Sequence, residues 1–329
     1  MQHTYFFHYI ALSCLAILVL AGCNDKPYAV PVPKSTLQND CIKRSLGPNI
    51  VGQDIEFAYA AAILPTKGKL VSIQADASVA GAPGTYLDNN SYYTDGSGDD
   101  IPVLVGSPSV TKGSTTEVTF TTDTSAATLR YFYRIPEEAR GKSVSFTFSA
   151  KSSNGESITY DMGPYQVASM DIVHNLQLQD GGACYISIAD TAVYDATEAA
   201  SKADKIDLVY LYRQVPGVNF NNAIVSPAAD VQYLPGVTLP SGVNKDTKLE
   251  QVWNLQDRDL AQLQYGIYID DEDFQKLDLT GAPDYTVNLK AESGIWVETQ
   301  DGTYRAYIFV NSVDNNGGAV ISMKRYKMK

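Results

Sequence analysis

Leu20-Ala21-Gly22-Cys23 closes an apolar run from Tyr5 to Leu20 in which only His8 and Ser13 are clearly polar. Small residues leading into a cysteine after such a run form a lipobox, the layout of a bacterial lipoprotein signal. The expected chemistry is cleavage before Cys23 and acylation of Cys23. Several acyl chains anchor a protein firmly, whereas one anchors it only marginally. The competing reading is an uncleaved helix, since residues 1–22 approach the roughly 20 residues that span a bilayer. No Lys or Arg precedes the apolar run, which suits that rival. A plain anchor, however, has no reason to end in Leu-Ala-Gly-Cys. The lipoprotein reading is therefore preferred, with the membrane as a partner through Cys23. The location it implies is the cell envelope, as an outer-membrane lipoprotein facing the periplasm or the cell surface.

Residues that could do catalysis are scarce. Of three histidines, His3 and His8 precede Cys23, which leaves His174. Zinc sites draw on several histidines, and Ser-His-Asp chemistry needs one beside a nucleophile. His174 lies in the stretch Met170 to Leu176 with no nucleophile motif beside it, and reads as a junction residue. Cys41 and Cys184 are the cysteines left beyond Cys23. An exported location permits a disulfide between them, but sequence does not decide whether their Cα atoms approach. A bridge and two buried thiols both stay open.

Acidic residues are plentiful and unspecific. Asp95, Asp99 and Asp100 sit in a Gly-rich stretch, and Asp270, Asp271, Glu272 and Asp273 form a run. Neither matches the calcium-loop pattern, so both read as solvated turns and no metal is expected. A glycosidase needs two carboxyls roughly 5–10 Å apart, and no spacing singles out a pair among 37 acids. No catalytic residue and no cofactor is expected, and the chain reads as a binding protein, not an enzyme.

Aromatic residues supply the binding candidates. The chain has 22 tyrosines, of which only Tyr5 and Tyr9 precede Cys23, together with Trp253 and Trp296. Tyr and Trp combine an apolar body with a polar tip, which suits stacking on sugar faces. Tyr86, Tyr92 and Tyr93 fall in a stretch rich in Asn, Asp and Gly, and with Trp253 and Trp296 they form the candidate ligand-binding set. The competing reading packs these rings into cores. The charge of -12 falls entirely beyond residue 22. That balance argues against nucleic acid, whose phosphates need basic patches.

The elements that must position these residues are mostly strands. Residues 23–48, starting with the Pro-rich stretch to Lys34, read as an extended tether. In residues 49–173, Lys69–Ala75, Thr116–Thr121, Leu129–Ile135 and Ser143–Ser149 alternate apolar and polar residues, which predicts strands with one buried face. Asn154-Gly155 marks a tight hairpin, and Pro136–Gly141 a helical turn closed by glycine. In residues 174–329, Asp195 with Glu198 makes a capping-box pattern for a short helix. Gln256–Leu263 and Asp270–Leu277 read as helical turns. Gly294–Val310 and Ala319–Arg325 form a three-stranded meander with turns at Asp301-Gly302 and Asn315–Gly318. The expected fold is all-β, with two sandwich-like domains and short helices in the second.

The lipobox, the stretch Arg130–Phe148, the stretch Lys205–Tyr212 and Val225-Ser226-Pro227 together resemble the uncharacterised two-domain lipoproteins of gut Bacteroidetes. The resemblance covers nearly all of the chain beyond Cys23. It implies an immunoglobulin-like first domain, an envelope location and, by association, polysaccharide capture. It supplies no catalytic residues. The leading expectation is a non-catalytic glycan-binding protein whose partner is a polysaccharide or an envelope protein. The rivals are an adhesin or pilus-like structural subunit and, third, a two-carboxylate envelope hydrolase.

Overall fold

The computed structural model describes residues 34–215 and 217–329. Residues 1–22, Cys23 and the start of the expected tether lie outside the described residues. The chain folds into two all-β sandwiches joined near residue 170.

In the first sandwich, one sheet has the order Gln38–Lys43, Asp54–Ala62, Ala126–Arg134, Tyr86–Leu87. The facing sheet has the order Ser157–Gln166, Ser143–Ser152, Leu70–Ala77, Thr115–Thr119, Val110–Lys112. Gln38–Lys43, Asp54–Ala62, Ala126–Arg134 and Tyr86–Leu87 take the A, B, E and D positions, and Ser157–Gln166, Ser143–Ser152 and Leu70–Ala77 the G, F and C positions, of an immunoglobulin-like sandwich. Period-2 alternation drives this arrangement. Along Ala126–Arg134, Ala127, Leu129, Tyr131 and Tyr133 are buried, while Thr128, Arg130, Phe132 and Arg134 face outward. The inward rings meet Phe57, Tyr59, Phe146 and Phe148, with Phe57 and Phe146 at 4.7 Å between centroids. The expected turns are present: Gly155 closes the second hairpin at φ 89°, and Gly141 follows the helical turn Glu137–Ala139 at φ 67°.

The second sandwich packs two five-stranded sheets. One contains the predicted meander, Gly294–Glu298, Tyr304–Val313 and Gly318–Lys327, flanked by Lys248–Val252 and Asp171–Gln179. The predicted helix is Ala196–Ser201, with Asp195 accepting from the Thr197 and Glu198 amides and Glu198 returning a bond to the Asp195 amide. Arg258–Ala261 and Asp271–Lys276 form the other two helical turns, capped by Asp257 and Asp270.

Two expectations are corrected. Residues 38–43, read as tether, form an edge strand whose Cys41 lies opposite Tyr59. An edge strand needs few buried side chains, and here Cys41 is the one buried within it, with Leu37 buried just ahead of it, so no alternation is visible. The domain junction lies at residues 168–170, ahead of 173/174, because Asp171–Val173 already pair with Met323–Arg325. Of the two readings left open for the cysteines, the structure has the buried thiols, with Cys41 and Cys184 both free. Each is enclosed by a different core. Burial pushes the Cys41 thiol up to about 12 and the Cys184 thiol up to about 11.

The junction is packed. Ile50, Ala168 and Met170 form an apolar cluster with Leu260, Ile269, Phe274 and Phe309 of the second domain. The Asp271 carboxylate accepts from the Ser169 amide at 2.6 Å and the Met170 amide at 3.3 Å. Arg140 of the first domain pairs with Asp171 at 2.8 Å and donates to the Ser169 and Met170 carbonyls. No described helix is long and apolar enough to cross a membrane.

Candidate functional site

The site is built on the outer face of the first domain's four-stranded sheet. A hairpin, Asn90–Thr94 with Asp100–Leu104, folds back over this face. Its anchor is Tyr92. The phenol donates to Asp88 at 2.6 Å, and the Arg130 guanidinium lies 4.0 Å from the ring centroid. That hydrogen bond to Asp88, helped by partial burial, pushes the Tyr92 hydroxyl up to about 12. Arg130 also pairs with Asp100 at the far end of the hairpin, where Arg44 reaches both Asp100 and Glu56. Ser91 accepts from the Thr128 amide at 3.0 Å.

A groove of 470 Å³ opens between this hairpin and the ends of the sheet strands. Its floor is built of Ala60, Ala62, Ala126 and Thr128, and its sides carry Tyr93 and Asp40. Alanine methyls leave room where larger side chains would fill the trough. Tyr92 is held down by its two partners, whereas Tyr93 is 55% exposed. Among the described residues, Asp40 is the one carboxylate lining the groove.

The five candidate aromatics do not form one site. Tyr92 and Tyr93 line the groove. Tyr86 lies on the same sheet face, stacked on Phe132 at 4.8 Å. Phe132 is four strand positions from Thr128, or about 13 Å along the sheet, so Tyr86 stands apart. Trp253 is exposed on the second domain. Trp296 packs against Tyr307 at 4.7 Å and Phe274 at 5.6 Å, within the apolar cluster at the domain junction. Sequence reasoning missed Arg130 as the residue that seats Tyr92, and Ala60 and Ala62 as the floor. The signal was present in Phe57–Ala62, where small residues take outward positions of a strand that has bulky inward ones.

The acidic stretches have structural partners. Asp95 accepts from the Ser97 and Asp99 amides and closes the hairpin turn. Asp270 caps a helical turn, Asp271 holds the junction, and Glu272 pairs with Lys276. Among the described residues, no group of three or more His, Cys, Asp or Glu is arranged to hold a metal ion. His174 is half-buried in the second domain, and burial pushes its pKa below the ordinary value against the pull of Asp259 and Asp257.

Comparison with known proteins follows the two-domain division. Residues 34–167 match the domain of unknown function DUF4466, and residues 168–328 match the domain of unknown function DUF8576. The crystal structure of a DUF4466 family protein from Parabacteroides merdae is 48% identical, with TM-score 0.85, covering 90% of this chain and 100% of that one. A C-terminal fragment of a major pilin from Streptococcus agalactiae is 12% identical, with TM-score 0.29, covering 48% of this chain and 66% of that one. The second likeness is too slight to bear on fold. None of the curated proteins matches. The chain belongs to the DUF4466 family, and its likeness to two-domain proteins of gut Bacteroidetes is borne out.

Proposed function

We propose that this member of the DUF4466 family is a non-catalytic binding protein, lipid-anchored to the outer membrane through Cys23, that captures a glycan in the groove beside Tyr93. The groove itself carries the reading: an open trough of 470 Å³, floored by alanine methyls and flanked by an exposed tyrosine. A sugar ring has an apolar C–H face and a rim of hydroxyls. Tyr93 offers a flat apolar surface for the first, and Asp40 and Thr128 offer polar groups for the second. Cleavage of a glycosidic bond calls for two carboxyls across the cleft, and among the described residues Asp40 is the single carboxylate along this one. Each contact of this kind is weak. Anchoring many copies on one membrane raises the effective concentration and turns weak contacts into retention.

The test is a polysaccharide affinity-gel and glycan-array screen of the chain from Asn24 onward. Reproducible retention by one polymer class is the expected result. No retention by any polymer would overturn the glycan reading.

A further inference from the structure

Lys324 lies on the last strand, Gly318–Lys327, and its side chain is completely buried. Its neighbour Met323 belongs to the second domain's core, so Lys324 points to the opposite face of the sheet. There the segment from Asp257 to Ile269 covers it. Nζ lies 2.7 Å from Oδ2 of Asp257, which is also completely buried, and 2.9 Å from Oδ2 of Asp259. It also donates to the Ile269 carbonyl at 2.9 Å. Leu260, Ile269 and Tyr307, all fully buried, surround this segment with apolar surface.

The Asp257 carboxyl is unusually well held. Its Oδ1 accepts from the Leu260 amide at 2.9 Å and its Oδ2 from the Ile269 amide at 2.7 Å. The Leu260 N–H fixed on Oδ1 stabilises the negative charge that gathers on that oxygen when a nucleophile adds to the carbon, while the Ile269 N–H holds the carboxyl in place. The nucleophile is in place, oriented by a carbonyl and confined beside that carbon, which removes the entropy cost of bringing the two together. Asp259 completes the set. Its Oδ2 is buried at 2.9 Å from the amine, yet accepts no aligned hydrogen bond. Taking an ammonium and a carboxylate out of water is costly, and joining them removes both charges.

We propose that Lys324 condenses with Asp257 to form an intramolecular amide, with Asp259 carrying the protons. Asp259 takes one proton from the ammonium and passes it to Oδ2 of Asp257, and the freed Nζ lone pair attacks Cγ of the neutral acid so formed. The Nζ–Cγ bond forms and the Cγ–Oδ2 bond breaks. Two of the amine's three protons leave with Oδ2 as water, and the third stays on the amide nitrogen. Ammonium plus carboxylate gives amide plus one water, with no oxidant or reductant. The bond ties the final strand to a segment 67 residues earlier. The final strand could then not be peeled from the sandwich by pulling on the C-terminus.

The test is a peptide map of the full chain, digested with trypsin after denaturation. The expected product is one branched peptide joining the Asp257 and Lys324 segments, lighter by one water than the two together, with no cleavage after Lys324. Two linear peptides, with Lys324 open to an amine-acetylating reagent, would overturn the proposal. This readout needs no variant. Asp259→Asn, checked for native near-ultraviolet circular dichroism, is expected to leave the two peptides unlinked. Complete linkage in that variant would overturn the role given to Asp259.

Discussion

The two sandwiches differ in where they keep their charges. The first fills its interior with rings, Phe57, Tyr59, Tyr131, Tyr133, Phe146 and Phe148, and holds its ion pairs on the outer sheet face. The second encloses Lys324 and Asp257 at zero exposure beneath a covering segment. Charges on a wet face add little to stability, so there they are free to shape a surface. The Arg44, Arg130, Asp100 and Glu56 group does this by pinning a hairpin over the sheet and leaving a groove beside it. A buried amine and carboxylate, by contrast, must be satisfied or joined, and they fix one strand to one segment. One domain uses charge to present a surface and the other uses it to hold a frame.

The largest effect should come from breaking the frame. Asp257→Ala leaves Lys324 buried without its carboxylate and frees the Leu260 and Ile269 amides. The second domain is expected to lose at least about 3 kcal/mol in urea denaturation. A loss below about 1 kcal/mol would mean that the pair is replaceable and that the two domains do not differ as described.

Alkali tests the first domain's interior next. Cys41 moves from an ordinary 9.0 up to about 12, and Tyr59 from 10.0 up to about 12, because burial disfavours their charged forms. Folded protein therefore holds these protons at pH values where unfolded chain has released them. The stabilisation is complete below pH 9 and is lost as pH rises toward 12. The urea midpoint should fall between pH 8 and pH 11. Without reductant, both Cys41 and Cys184 should be alkylated only after denaturation. A midpoint that rises, or a Cys41–Cys184 disulfide peptide, would contradict the two separate cores.

Smaller effects belong to the outer face. Arg134 pairs with Asp54 at 2.8 Å where both are substantially exposed. Arg134→Met is expected to cost about 1 kcal/mol or less. A loss as large as that of Asp257→Ala would erase the contrast between the domains.

Much of this fold was legible because alternation marks a half-buried strand. Leu129–Ile135, Ser143–Ser149 and the final meander all appear where period 2 put them. The capping box at Asp195 was equally direct, since its donors and acceptors lie within three residues. The edge strand Gln38–Lys43 was not legible, because a single buried side chain, Cys41, leaves no periodic signal. The site was legible in part. Tyr92 and Tyr93 were singled out by their loop-like surroundings, but Arg130, which seats Tyr92, lies on a distant strand. The place of Trp296 was not legible, because the junction that half-buries it forms only when the two domains pack. Nothing in the sequence marks Lys324 as buried, because the segment that covers it lies 67 residues earlier.

The most direct test of the account is retention of Tyr93→Ala and Trp253→Ala on the polysaccharide that retains the unchanged chain. Neither ring is buried in a core, so both variants should keep native stability to within about 0.5 kcal/mol. The account predicts that Tyr93→Ala loses most of its retention and that Trp253→Ala keeps it. Retention lost in Trp253→Ala and kept in Tyr93→Ala would place binding on the second domain and contradict the groove.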